Sequence, residues 1–169
     1  MADSKLLIYL MRRDLRVCDN PILHDLGLMK DRYGFTHLLP IYVFPAHQVE
    51  VSGFIDDPDA TSPYPEARSR TGKYWRCGPH RAKFLAQSVW DVKESLESME
   101  CGLEIRVGKQ SDVVRHIIEN LTDLKLGAVW MTKEDSTEEI TEQNQIALVC
   151  NANGVDFRLW IDEKYFIDE

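Results

Sequence analysis

The stretch LLIYLMRRDLRVCDNP, residues 6–21, decides the fold. It begins with a continuous apolar run, residues 6–11, a pattern typical of a strand buried on both faces of a parallel sheet. A dense charged turn follows at residues 12–16. Asp19-Asn20-Pro21 then indicates a helix start, because a side-chain oxygen can cap free N–H groups and proline is tolerated in the first turn. The stretch therefore predicts a buried strand that delivers a charged turn to the carboxyl edge of a sheet, where ligands of open α/β sheets bind.

The rest of the chain repeats this alternation of strand and helix. Apolar runs and alternating residues predict strands, whereas apolar residues spaced by three and four predict helices. We predict an α/β fold with a doubly wound, five-stranded parallel sheet, strand order 3-2-1-4-5, and helices on both faces. The predicted strands cover residues 5–11, 37–44, 103–107, 128–131 and 155–161, and the predicted helices cover 21–32, 81–99, 112–121 and 136–152.

Four local details follow from the same patterns. Because proline cannot donate to a ladder, either pairing of the second strand starts at residue 41 or Pro40 lies beyond the end of its partner strand. Ser136 and Glu139 have the spacing of a capping box. Alternation over 155–161 predicts a half-exposed edge strand. The inward face of the second helix is predicted to comprise Leu85, Val89, Val92, Leu96 and Met99, with Trp90 packed beside them.

Length and composition indicate one globular domain. The chain has 169 residues, and a formal net charge of −8 argues against non-specific binding of nucleic acid by this domain alone. Four scattered cysteines without a C-x-x-C motif argue against zinc and favour reduced thiols. The apolar runs are too short to span a bilayer, so we expect no membrane association and a cytoplasmic or nuclear location, with an organellar one left open. The ending at 164–169 resembles the entry to a linker, so residues 1–169 are expected to be a fragment of a longer protein.

A long connection with five prolines occupies residues 45–80. Residues 68–83 hold six Lys or Arg and no acid, with Tyr74 and Trp75 among them. Such interleaving could bind an anion or stack on a base. The favoured alternative is a solvated loop that docks on the acidic remainder of the protein.

Charged residues are predicted to meet where the first and fourth strands end side by side. In the strand order above, Arg12 and Arg13 face Lys133 and Glu134 across a crevice. A carboxylate there could accept two parallel hydrogen bonds from an amidine-like edge, such as the 2-amino and N3–H edge of a pterin. In the alternative interpretation, Glu134 pairs with Lys133 or supports the start of the fourth helix.

Several motifs resemble one family. Arg12-Arg13-Asp14-Leu15-Arg16, followed by Asp19-Asn20-Pro21 and Leu23, resembles the opening of the photolyase/cryptochrome family, with Met11 where that family writes Trp or Phe. Residues 78–81, 83–85, 88–89 and 134–139 resemble the DASH branch of the cryptochromes. The DASH pattern Asp-Pro-Arg after the second strand is replaced here by Pro45-Ala46-His47.

The resemblance implies an antenna domain. Its cofactor would be methenyltetrahydrofolate, with the pterin held by Glu134 and with Lys133 beside it; Arg12, Arg13 and His47 complete the candidate cofactor-binding residues. FAD would be bound only in the full-length parent, by a helical domain that follows, and damaged or single-stranded DNA would be contacted only through that parent.

The implied activity belongs to the parent as well. It would be a blue-light flavoprotein for signalling or for light-driven repair of pyrimidine dimers, that is, a deoxyribodipyrimidine photo-lyase, and the fragment alone is expected to have no enzymatic activity. The alternative is a doubly wound nucleotide-binding or protein-docking module without photochemistry.

Overall fold

Five parallel strands form one sheet in the order β3-β2-β1-β4-β5. The computed structural model describes residues 4–51 and 61–162. The predicted fold class, strand order and element sequence are confirmed. The strands are β1 (Lys5–Met11), β2 (His37–Pro45), β3 (Glu104–Gly108), β4 (Lys125–Thr132) and β5 (Asp156–Trp160), and the helices are α1 (Pro21–Tyr33), α2 (Pro79–Ser98), α3 (Gln110–Asn120) and α4 (Thr137–Ala152).

The central strand β1 is buried from both sides and on both faces. It pairs with β2 and β4, and residues 7–11 are fully inaccessible. On one face, Tyr9 lies in a cluster with α1 and α2; on the other, Ile8 packs against α3 and α4. Because α1 and α4 lie on opposite faces, the carboxyl ends of the central strands are left open between them.

Pro40 lies inside β2. It stands beside Tyr9 of β1, whereas the ladder between β2 and β3 begins one residue later, with Ile41 beside Glu104. Pro40 therefore lies beyond the end of its partner strand β3, which is the second of the two predicted alternatives. The missing N–H costs no bond on that side.

The inward face of α2 is partly as predicted. Val89, Val92 and Leu96 are buried. Met99, by contrast, is 54% exposed because the helix ends at Ser98. Trp90 packs beside this face as predicted, with its ring centroid 6.4 Å from that of Phe44, but it is 45% exposed and so is not part of the buried core.

Two further details depart from the sequence patterns. Ser136 is the N-cap of α4, but its side chain makes no capping hydrogen bond. The Glu139 carboxylate, the other half of the predicted capping box, bonds to Arg13. The edge position of β5 is confirmed. The predicted alternation of buried and exposed residues holds over residues 155–158 and fails after them, since Ile161 is 72% exposed and Trp160 packs on Trp130 at 5.0 Å between ring centroids.

No helix in the described part of the chain is long and apolar enough to cross a membrane.

Candidate functional site

The turn after β1 is held by a buried hydrogen-bond network. Asp14, 1% exposed, accepts from the Tyr9 hydroxyl and from the backbone N–H of Arg12 at 2.9 Å. Asn20 donates to the Tyr9 oxygen at 2.7 Å and caps α1 by accepting from Ile22 N–H at 3.1 Å. Burial, followed by the charge and hydrogen bond of Asp14, raises the pKa of Tyr9, so this phenol stays a neutral donor. The network fixes the direction in which the two following arginines leave the strand.

Arg12 and Arg13 extend from this turn to the first turns of α4. Arg12 pairs with Glu142 at 2.7 Å, and both side chains are largely buried. His47 approaches the other oxygen of Glu142 at 3.3 Å. Arg13 bonds to Glu139, 4% exposed as a residue, so the charged turn after β1 is fastened to the start of α4 by two ion pairs.

Glu134 lies beside the same group of charges. Its carboxylate is 3.9 Å from the Arg13 guanidinium and its side chain is 10% exposed. The Gln143 amide fixes its main chain, accepting from Glu134 N–H at 3.0 Å and donating to Glu134 C=O at 2.8 Å. Lys133 is separate from this group, because its half-exposed ammonium pairs with Asp135 at 2.8 Å. The structure thus brings four of the five candidate residues together and leaves Lys133 apart.

A cleft of about 730 Å³ opens at the carboxyl edge of β1 and β2, between α2 and α4. Arg12 and Arg13 line it, whereas neither Glu134 nor Lys133 does. Three residues of its wall carry a buried polar atom without a hydrogen-bond partner among the described residues: Arg12 Nη1, Gln110 Oε1 and Glu139 Oε2.

These orphaned atoms indicate that the wall is built for a polar occupant. Gln110 is 5% exposed and Arg12 is 9% exposed, so bulk water reaches both poorly. A buried donor or acceptor that stays unpaired costs about 1–3 kcal/mol, and native proteins seldom retain several in one place. One donor and two acceptors at one wall are the complement of a flat heteroaromatic ring with both kinds of group on its edge.

Sequence reasoning missed Gln110, Glu139, Glu142 and Gln143. The sequence could have indicated the site residues on α4, because the buried face of this helix is apolar near its C-terminus and polar near its N-terminus. Gln143 lies three residues before Ile146, and Glu139 lies four before Gln143, all on the buried face. Polar residues on an otherwise inward face indicate a site at the end of the core.

These features define the class of protein. The chain is an α/β domain with a doubly wound sheet and a polar cleft at its carboxyl edge, the place where such sheets bind their ligands.

The comparisons with known proteins identify the family. The sequence model of the DNA photolyase family matches residues 7–163, and the chain belongs to that family as its N-terminal α/β domain. The chain is 53% identical over 171 aligned residues to a Gibberella zeae protein assigned to cryptochrome DASH, covering all of this chain and 24% of the relative. It therefore spans about a quarter of that relative's length.

Two solved structures share the fold. A cryptochrome from Synechocystis superposes with a TM-score of 0.73 at 19% identity, over 94% of this chain and 28% of the other. An archaeal photolyase from Sulfolobus tokodaii, described with two FAD molecules and the implication of a novel light-harvesting cofactor, superposes with a TM-score of 0.65 at 18% identity, over 93% of this chain and 29% of the other.

Proposed function

We propose that this chain is the antenna-chromophore domain of a DASH-type cryptochrome. In the full-length protein it holds a light-harvesting cofactor, methenyltetrahydrofolate, and passes excitation energy to FAD bound by a helical domain of the same polypeptide. That protein uses blue or near-ultraviolet light for signalling or for repair of pyrimidine dimers. DNA is contacted in the reaction only through the full-length protein.

The observation that carries the proposal is the group of unpaired buried polar atoms at the carboxyl edge. Arg12 Nη1, Gln110 Oε1 and Glu139 Oε2 have no partner among the described residues and belong to the wall of one cleft. A chromophore with a hydrogen-bonding ring edge would satisfy them. These groups lost their hydrogen bonds to water when the protein folded, so pairing them with a ligand costs no further desolvation of the protein and favours binding.

Glu134 is the proposed acceptor for the pterin edge. A carboxylate can accept two parallel hydrogen bonds from the 2-amino and N3–H groups of a pterin. The Gln143 amide bonds to both main-chain groups of Glu134 and holds this residue in place, and the Arg13 guanidinium lies 3.9 Å from its carboxylate. His47 and Arg12 would form the adjacent wall through their shared contact with Glu142.

A second candidate antenna is a flavin in the cleft itself. Glu134 does not line the cleft, whereas all three residues with orphaned atoms do. The structure of the Sulfolobus tokodaii photolyase, which shares the fold, is described with two FAD molecules. The two candidates therefore place the chromophore against different residues of the same sheet edge, and substitution can separate them.

The test uses the full-length protein, freed of any antenna cofactor but loaded with FAD. Folate and a free flavin are titrated separately into the wild type and into Glu134→Gln and Gln110→Met variants. Glu134→Gln replaces an acceptor by a donor, so we expect about ten- to a hundredfold weaker folate binding, corresponding to about 1–3 kcal/mol. Gln110→Met removes an acceptor of the cleft wall that has no partner among the described residues, so it should leave folding unchanged and weaken the binding of a chromophore that occupies the cleft.

The outcomes distinguish which chromophore binds from whether the domain binds an antenna chromophore at all. A loss confined to Glu134→Gln with folate supports the folate antenna, and a loss confined to Gln110→Met with a flavin supports the cleft antenna. Absence of any second chromophore bound by the wild type would contradict the proposal as a whole.

A further inference from the structure

Cys77 lines the cleft at the carboxyl edge, and the proposed antenna function does not use its thiol. It is a free, half-buried cysteine that directly precedes Gly78, the N-cap of α2. Its Sγ lies 3.8 Å from the Gly78 carbonyl oxygen, which is a weak hydrogen bond. The cleft therefore contains a potential nucleophile in addition to its polar groups.

The other three cysteines are less suited to react there. Burial raises the pKa of the Cys150 thiol to about 11, and it also raises the pKa of Cys101. Because the thiolate is the nucleophile, both residues are disfavoured at neutral pH. Cys18 is exposed, but it is followed by Asp19 and does not line the cleft. Of the four cysteines, all of which the structure describes, Cys77 alone belongs to the cleft wall.

The cleft wall carries an excess positive charge. It contains four arginines and three glutamates, and each glutamate pairs with one arginine: Arg12 with Glu142, Arg13 with Glu139 and Arg76 with Glu138. The fourth arginine, Arg81, lies in the first turn of α2, four residues after Cys77. It is exposed and has no ion pair with any described residue. An anionic group that enters the cleft would thus find a free cation on the same element as the thiol.

Buried polar atoms without partners lie in the same wall. The Arg12 side chain is 8% exposed, and its Nη1 has no hydrogen-bond partner among the described residues. Burial raises the pKa of the Tyr42 phenol, on which the charges of Arg12 and Cys77 also act, so the guanidinium and the thiol lie near the same hydroxyl. Gln110 Oε1 and Glu139 Oε2 add two unpaired acceptors. A group attached to Cys77 would therefore meet one unpaired donor and two unpaired acceptors.

We propose that Cys77 is a site of S-glutathionylation and that the cleft binds the attached glutathionyl group. The Cys77 thiolate attacks one sulfur of glutathione disulfide, a new S–S bond forms, the S–S bond of the reagent breaks, and glutathione thiolate leaves. The proton of the Cys77 thiol goes to water. Glutathione disulfide is the oxidant, because one of its sulfurs is reduced to the thiolate while the Cys77 sulfur is oxidised to the mixed disulfide.

Glutathione is complementary to this wall. It has a carboxylate at each end, an ammonium group and amide N–H groups. A carboxylate can pair with Arg81 and accept from Arg12 Nη1, and the N–H groups can donate to Gln110 Oε1 and Glu139 Oε2. The cleft volume of about 730 Å³ is typical of small-molecule sites. The reaction needs no antenna chromophore, so the inference does not depend on the proposed function.

The test compares disulfide exchange at Cys77 and Cys18 of this chain. Peptide mass mapping follows each cysteine during reaction with anionic glutathione disulfide and, separately, with neutral 2-hydroxyethyl disulfide. The ratio of the two rate constants cancels differences in exposure and thiolate content between the cysteines. We expect this ratio to be at least about tenfold larger for Cys77, because the positive wall raises the local concentration of the anionic reagent. Added salt should reduce the difference by screening.

Binding of the attached group is tested at equilibrium. In a buffer of reduced and oxidised glutathione, the equilibrium constant for the mixed disulfide should be about tenfold or more larger at Cys77 than at Cys18, which corresponds to one charge-assisted hydrogen bond. Arg81→Gln should remove most of this advantage. Lys125→Gln removes the same charge from an exposed residue at the amino end of β4, so it should leave the advantage unchanged. Circular dichroism melting of each variant confirms that it is folded.

Three results would each overturn the proposal. They are equal rate ratios at Cys77 and Cys18, equal equilibrium constants at the two residues, or the same effect of Arg81→Gln and Lys125→Gln. The last of these would show that the overall charge of the domain, and not the cleft wall, governs the reaction.

Discussion

Replacing Arg12 by methionine is expected to lower the free energy of unfolding by about 3–5 kcal/mol. Arg12 and Glu142 form a 2.7 Å ion pair with side chains only 8% and 13% exposed. Removing the guanidinium leaves the Glu142 carboxylate in a poorly hydrated place, with His47 as its only remaining ion-pair partner among the described residues. The penalty is the cost of an unpaired buried charge, and urea unfolding of the chain measures it directly.

Two controls define this prediction. The Arg12→Met/Glu142→Leu double variant replaces the pair by apolar side chains and should recover to within about 1 kcal/mol of wild type, because no charge is left unpaired. Lys93→Met breaks a half-exposed pair with Glu97 on α2 and should lose less than about 0.5 kcal/mol. Equal losses for Arg12→Met and Lys93→Met would contradict the account of a buried pair.

Replacing Trp130 by alanine is expected to cost a similar amount, about 3–5 kcal/mol. Trp130 is 1% exposed and lies in an aromatic cluster between the sheet and α1. Its ring centroid is 4.8 Å from Tyr33 and 5.0 Å from Trp160, so truncation removes several edge and face contacts and leaves a cavity.

Trp90 provides the matched comparison for Trp130. It is 45% exposed, so Trp90→Ala should lose only about 1 kcal/mol in the same urea experiment. If both tryptophan variants were destabilised equally, the assignment of Trp130 to the core and Trp90 to the flank would be wrong.

The fold could be predicted because its signals are local. The apolar run at 6–11 marks a strand buried on both faces, and the alternation of elements then leaves few topologies with right-handed crossovers. The predicted ends of the helices and strands lie within three residues of the observed ends. They differed where tertiary pairing lengthened a strand, as in β4, which begins at Lys125 because Lys5 pairs with it.

The pairing within the site could not be predicted in the same way. Arg12 and Glu142 are 130 positions apart, and sequence spacing does not say which of several glutamates on α4 each arginine will reach. The predicted capping box of Ser136 and Glu139 is likewise not formed, and Glu139 instead pairs with Arg13, a residue distant in the sequence. Which long-range partner a side chain contacts depends on the tertiary structure, whereas the periodicity of a helix or strand can be read from the local sequence.

The antiparallel hairpin at residues 67–76 could be predicted only in part. Its composition indicated basic residues interleaved with aromatics, and the sequence left its role open between a ligand site and a docked loop. The structure agrees with the docked loop, since Arg76 pairs with Glu138, and it leaves Tyr74, next to the turn at residues 70–73, exposed. Only the bridge between Arg68 and Trp75 reveals which residues form arms and which form the tip.

Antenna-driven photoreduction of FAD in the full-length protein tests the central claim most directly. Light is delivered at a wavelength that folate absorbs much more strongly than FAD, and the rate of flavin reduction is compared with that under light absorbed by FAD alone. We predict that the folate-loaded wild type responds to both wavelengths. The Glu134→Gln/Gln110→Met variant should keep only the response to direct FAD excitation. Full antenna-driven reduction in that variant, or none in the wild type, would contradict the claim that this domain holds the antenna.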